Sequence, residues 1–145
     1  VLAEEFFRGA CETCLGDSEV ITSVEIEDAD NERTGGYVKR KEPASGGAVL
    51  GVATDLLFEG PNQQRVESAR IAANGLCASA VRLGGAEAAL SGSKLDDETI
   101  ETAANAAGDT LDETDVLDNK KASAAYRRNL LGPYVRRSLR KAMPD

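Results

Sequence analysis

Histidine is absent from the 145-residue chain. With it go the Ser-His-Asp triad, the Cys-His dyad and every imidazole metal ligand. Tryptophan is also absent, and aromatics make up 4% of the residues, so the stacking platforms of single-strand nucleic acid binders are scarce. Three cysteines are too few, and odd in number, for a disulfide framework. Cys11-Glu12-Thr13-Cys14 is a lone CxxC: a structural zinc needs two more ligands, and Cys77 supplies only one. A thiol redox role for Cys11 and Cys14 would need the start of a helix after a strand to lower a thiol pKa. The longest stretch without a charged side chain, Pro43 to Thr54, is far short of the roughly 20 apolar residues of a membrane helix. No transmembrane segment is expected, no secretory signal is visible, and a reducing cytoplasm is the expected compartment.

What is present describes one ordinary domain with a real core. Apolar residues are 41% of the chain and charged residues 29%, which excludes collagenous and wholly disordered classes. The protein is acidic, with 25 acids against 17 bases. Its charge is segregated: Asp96 to Asp118 carries acids and no base, Lys120 to Lys141 bases and no acid. Two neighbouring helices that attract one another would explain this. A basic C-terminal helix serving a non-catalytic interaction module is the alternative, but the adjacent acidic block would cancel its field, so no nucleic acid partner is expected.

The pattern divides the chain. Residues 1–18 lead in, 19–74 read as a sheet, and 81–143 as helices. Strands are expected at Val20 to Glu27, Tyr37 to Lys41, Ala48 to Phe58 and Val66 to Asn74, with turns through Asp28 to Gly36 and Gly60-Pro61-Asn62. Ala48 to Phe58 is almost continuously apolar, as a central strand should be. Short connections favour an antiparallel meander. A short helix over Ala86 to Leu90 should stop at Gly92. The next should be capped by Asp96, with Ile100, Ala103, Ala104, Ala107 and Leu111 on one face. The last should start near Ala122 and turn Tyr126, Leu130, Leu131, Val135 and Leu139 inward with arginines outside. Gly132-Pro133 predicts a kink or break. The fold class is α+β: an antiparallel sheet of three to four strands followed by a three-helix bundle packed on one face, in a single domain over 1–145.

Three Gly-Gly pairs fall in no phosphate-binding arrangement, so no self-contained nucleotide site is encoded. Two features stand out from a plain sheet. Ile21 puts an aliphatic on the polar face of its expected strand, and Tyr37, Lys39 and Lys41 share a face that would lie beside it if the first two strands pair. An aliphatic platform next to an ammonium group suits a flat, electron-rich ring.

Several strings, in order, resemble the C-terminal domain of the FAD-binding (medium) subunit of molybdenum hydroxylases, the carbon monoxide dehydrogenase and xanthine dehydrogenase family. They are Phe6-Phe7, Glu12-Thr13, Glu19 to Val24, Tyr37-Val38-Lys39, Ala48 to Ala53, Ala69-Arg70-Ile71-Ala72, Val81-Arg82, Ala86 to Gly92, Tyr126-Arg127-Arg128 and Val135 to Leu139. The resemblance implies a domain that closes over the isoalloxazine ring of an FAD held chiefly by N-terminal FAD-binding domains. It also implies partner subunits carrying the molybdenum cofactor and [2Fe-2S] clusters, with electrons relayed through the flavin to an acceptor. Ile21 falls where an aliphatic packs on the flavin, and Lys39 where a lysine approaches its pyrimidine edge. Arg40 to Gly47, including Lys41, Gly46 and Gly47, corresponds to a mobile loop beside the flavin. No catalytic residue and no metal ligand is implied within the chain. Where the family commonly has Gly-Asp-aromatic-Ala, this chain reads Ser45-Gly46-Gly47-Ala48, without the acid or the ring.

Overall fold

The computed structural model describes residues 1–26, 33–59 and 65–143. Helix α1 (Ala3–Phe6) leads into a two-stranded hairpin of β1 (Phe7–Gly9) and β2 (Glu12–Thr13). The main sheet follows, with β3 (Arg33–Lys41), β4 (Ala48–Phe58), β5 (Val66–Asn74) and β6 (Val81–Arg82) in sequence order and antiparallel throughout. Helices α2 (Gly84–Leu90), α3 (Asp97–Ala106) and α4 (Ala124–Lys141) form the second layer. Helix α4 lies on β3 and β4, α2 lies on β5, and α3 packs against both helices. The α+β expectation, sheet first and helices second on one face, is the architecture observed.

Strands β4 and β5 have the expected boundaries. In β4 the alternate residues Leu50, Val52, Thr54, Leu56 and Phe58 are buried, and register sets Val52 against Ala73 and Thr54 against Ile71 on the same face. These side chains meet Leu83, Leu90, Ile100, Leu131, Val135 and Leu139 in one core. Helix α2 ends at Leu90, and Gly92, two residues on, has a φ of 71°, the left-handed conformation expected after a helix end. Asp96 caps α3 by accepting from the Thr99 amide at 2.9 Å, and Ile100, Ala103, Ala104 and Ala107 are buried as the spacing predicts, with Leu111 partly so.

Several expectations are corrected. Residues 20–26 form no strand, and Val20, Ile21, Val24 and Ile26 are 56 to 86% exposed. Alternation records which side chains could share a face; it says nothing about where the pairing partner is, and among the described residues the ladder neighbour of β3 is β4 alone. Glu27, the run 28–32 and the turn 60–62 lie outside the described residues. The expected turn gives way to strand from Arg33, four residues before Tyr37. Arg33 to Gly36 belong to β3 because they pair with Leu57 to Thr54 of β4, and only glycine fits at position 36, where a Cβ would lie 2.3 Å from the Ser138 carbonyl oxygen.

Helix α4 begins at Ala124 behind an N-cap at Ser123 and runs through Pro133 unbroken. A mid-helix proline costs about 3 kcal/mol. Burial of Leu131, Tyr134, Val135 and Leu139 around it, at about 1.5 to 3 kcal/mol for each large side chain, outweighs that cost. Two α4 side chains exchange their expected places: Tyr126 is 41% exposed, and Arg127 is buried at 3%. The guanidinium of Arg127 donates to the carbonyl oxygens of Val49, Gly75 and Leu117 and to Asn119 Oδ1. It binds the starting end of β4, the end of β5 and the turn before α4.

The segregated charge is explained by helix packing. Arg136 makes a two-pronged pair with Glu101, Arg140 meets Asp97 at 3.0 Å, and Arg128 meets Glu113 at 3.4 Å. The Glu101 carboxyl lies below its ordinary pKa, chiefly through the Arg136 hydrogen bond. These bases are thereby committed to the acidic block.

Candidate functional site

The open face of the sheet, opposite the helices, carries the candidate site. Register separates the two faces of β3: Gly36 and Val38 lie opposite Thr54 and Val52 on the helix side, whereas Tyr37 and Lys39 lie opposite Ala53 and Gly51 on the open side. Arg40 pairs with Leu50 and so belongs to the helix side, away from Lys39. A bulge falls between Arg40 and Lys41. The expected loop from Arg40 is therefore shorter, since β3 continues through Lys41.

Glu42 to Gly47 close the β3–β4 connection as a compact turn. The Glu42 amide donates to the Gly47 carbonyl at 2.8 Å and the Gly46 amide to the Glu42 carbonyl at 2.9 Å. Gly46 has a φ of 68°, which a glycine adopts at little cost. Lys39 Nζ donates to the Gly46 carbonyl at 3.2 Å, so Lys39, Gly46 and Gly47 are brought together. An ammonium has three donors, and the exposed Lys39 keeps two for solvent or a ligand.

Glu42 anchors this turn. Its carboxylate accepts from Ser45 Oγ and, at 3.0 Å, from Lys121 Nζ. Those hydrogen bonds, the one from Ser45 first, hold its carboxyl below the ordinary glutamate range. A depressed folded-state value means that the contact is complete above the ordinary glutamate pKa and is lost as pH falls through the lowered one. The Gly46 and Gly47 amide resonances should therefore stay constant from neutrality down to that range, then shift with a midpoint below that of a free glutamate. A midpoint at or above the free value would show that Glu42 does not hold the turn.

Ile21 is 56% exposed on the unpaired segment 20–26, and no pairing with β3 brings it beside Lys39. Cys11 sits exposed at the hairpin turn with a φ of 60°, Cys14 is half-buried, and neither forms a disulfide. Burial, followed by the charge of Asp115, raises the Cys77 thiol pKa. Among the described residues no group of three or more histidine, cysteine, aspartate or glutamate side chains gathers to hold a metal. Nor is any described helix long and apolar enough to cross a membrane.

Sequence reasoning missed Asn74, Gly51 and the Glu42–Lys121 contact. Lys39 stands opposite Gly51, and Gly51 opposite Asn74. The signal was the register of the two hairpins, which places an asparagine closing an apolar strand in line with a lysine two strands away.

The four-stranded meander backed by three helices on one face has counterparts among solved structures. Carbon monoxide dehydrogenase from Hydrogenophaga pseudoflava, solved without the Mo-pyranopterin moiety of its cofactor, is 27% identical, with a TM-score of 0.82 over 96% of this chain and 46% of that one. Quinoline 2-oxidoreductase from Pseudomonas putida 86 is 25% identical, with a TM-score of 0.81 over 95% and 46%. Reconstituted carbon monoxide dehydrogenase from Oligotropha carboxidovorans, at 22% identity, shares the fold with a TM-score of 0.83 over 98% and 48%. The chain thus spans less than half the length of these relatives. No curated protein matches it. The family model of the CO dehydrogenase flavoprotein C-terminal domain matches residues 37–142, and the chain belongs to that family.

Proposed function

We propose that the chain is the C-terminal domain of an FAD-binding subunit in a molybdenum and iron–sulfur oxidoreductase, and that its open sheet face closes over the flavin. The observation that carries this is Lys39, exposed on the face the helices leave bare and tied to the Gly46 turn. The donor set fits one edge of a flat ring: an ammonium with spare donors, a glycine turn, and the exposed Ala53 on the same face. It does not fit a whole dinucleotide, because no glycine-rich phosphate loop occurs in the sequence. Most of the FAD would therefore be held by N-terminal FAD-binding domains, with the molybdenum cofactor and [2Fe-2S] clusters in partner subunits.

When bound, FAD supplies the electron-transfer chemistry between those clusters and an acceptor. This chain's residues supply position and charge. Lys39 would place a positive charge at the pyrimidine edge and favour the electron-rich ring. Gly46 and Gly47 would let the backbone approach it, Arg40 and Lys41 would flank the turn, and Ile21 would give apolar contact. Four exposed aliphatics within one seven-residue segment, Val20, Ile21, Val24 and Ile26, support a further protein surface covering that segment.

Lys39→Ala, made in a flavoprotein that joins this domain to its FAD-binding portion, should weaken FAD retention or lower the flavin reduction potential. Unchanged values of both would remove the role given to Lys39. The 145 residues alone should quench added FAD little; tight stoichiometric binding would contradict the division of labour.

A further inference from the structure

Lys39, Gly51 and Asn74 stand in one row across β3, β4 and β5. With strands about 4.8 Å apart, the row spans about 10 Å. Gly51 leaves a gap in it, and the gap is entered by two neighbours. An alanine Cβ at this position would lie 2.1 Å from Asn74 Oδ1 and 2.5 Å from Tyr37 Oη. Two exposed polar side chains thus converge over the Gly51 backbone beside Lys39 and cover it, each keeping its outer side to solvent. Among the described residues, the hydrogen bonds at this corner involve Lys39 Nζ and the Tyr37 carbonyl, not the Tyr37 hydroxyl or the Asn74 amide. Packing of the Tyr37 ring on a cross-strand glycine accounts for Tyr37, but it gives no reason for the Asn74 oxygen to turn to the same spot.

The geometry points to Asn74 as a binding residue for the imide edge of the flavin, with the Tyr37 hydroxyl beside it. This rests on the lid reading above. An imide presents an acceptor, an N–H donor and a second acceptor in one plane. The carboxamide of Asn74 has an oxygen acceptor and an NH2 donor, also in one plane, so it can meet the imide N–H and one carbonyl together. The spare donors of Lys39 remain for the other carbonyl. Lysine has donors only and cannot sense the N–H. Asn74 would therefore supply the specificity that Lys39 lacks, and a glycine at position 51 would be required to let it reach across.

The test compares FAD with 3-methyl-FAD, in which the imide N–H is replaced, by flavin fluorescence on the flavoprotein that joins this domain to its FAD-binding portion. The unsubstituted protein should prefer FAD several-fold. Asn74→Ala should bind FAD about five- to hundredfold more weakly, the range for two net hydrogen bonds, and should lose the preference; Asn74→Gln should recover part of it. The side chain is exposed, so an unchanged melting temperature should accompany these effects. Wild-type indifference to methylation, or a preference retained in Asn74→Ala, would overturn the assignment. If Lys39→Ala weakens FAD while Asn74→Ala does nothing, this inference fails and the lid stands. If neither substitution matters, both fail.

Discussion

Replacing Arg127 by methionine is expected to destabilise the domain by about 3 kcal/mol, a large part of the about 5 to 15 kcal/mol that holds a typical domain folded. Methionine fills much of the space but leaves the carbonyls of Val49, Gly75 and Leu117 without the donor they now have. Each buried orphaned acceptor costs about 1 to 3 kcal/mol, reduced where water can enter. Urea denaturation of the substituted and parent chains measures the difference, with coincident probes needed to confirm a two-state transition. Arg127→Lys should recover a minority of the loss, because an ammonium cannot reproduce the planar fork. A change below about 1 kcal/mol would mean that other groups or solvent satisfy those carbonyls.

Gly36→Ala should have a comparable effect for a different reason. Its Cβ would sit 2.3 Å from the Ser138 carbonyl oxygen and 3.3 Å from Lys141 Cβ, so β3 and α4 must separate. Overpacking of this kind costs about 1 to 3 kcal/mol, and here the obstruction is helix backbone, which cannot rotate away. The displacement would also loosen Ser138 Oγ, which donates to the Gly36 carbonyl at 3.0 Å and accepts from Thr54 Oγ1 at 2.7 Å. Thermal unfolding should show a clear fall in melting temperature, and NMR shifts should spread through β3 as far as Lys39. A neutral outcome would require α4 to move without penalty.

These two residues show how far the sequence could be read. Strands β4 and β5 were legible to the residue because their apolar pattern is a direct product of central position and a covered face. Gly35-Gly36 suggested a turn, since in isolation glycine signals backbone freedom; in the folded chain Gly36 marks the absence of room for a side chain. Arg127 was assigned outward because periodicity counts arginine as polar, and only tertiary structure reveals four acceptors waiting for it. The face shared by Tyr37 and Lys39 was legible from their alternation, although among the described residues 20–26 form no strand beside it. Asn74 was out of reach, because its relation to Lys39 passes through two registers and a missing Cβ.

The attachment of β3 to α4 bears on the order of folding. Successive strands pair through neighbouring segments, whereas Thr34 donates to the Ala142 carbonyl across 108 residues of sequence and Lys141 to the Tyr37 carbonyl across 104. Closing so long a loop carries an entropic cost that the local hairpins avoid. We expect the β4–β5 pair to assemble early and the C-terminal turn to lock the outer strand late, so that Gly36→Ala accelerates unfolding more than it slows refolding. Lys39 would then reach its final geometry only when Lys141 and Ala142 have docked on β3.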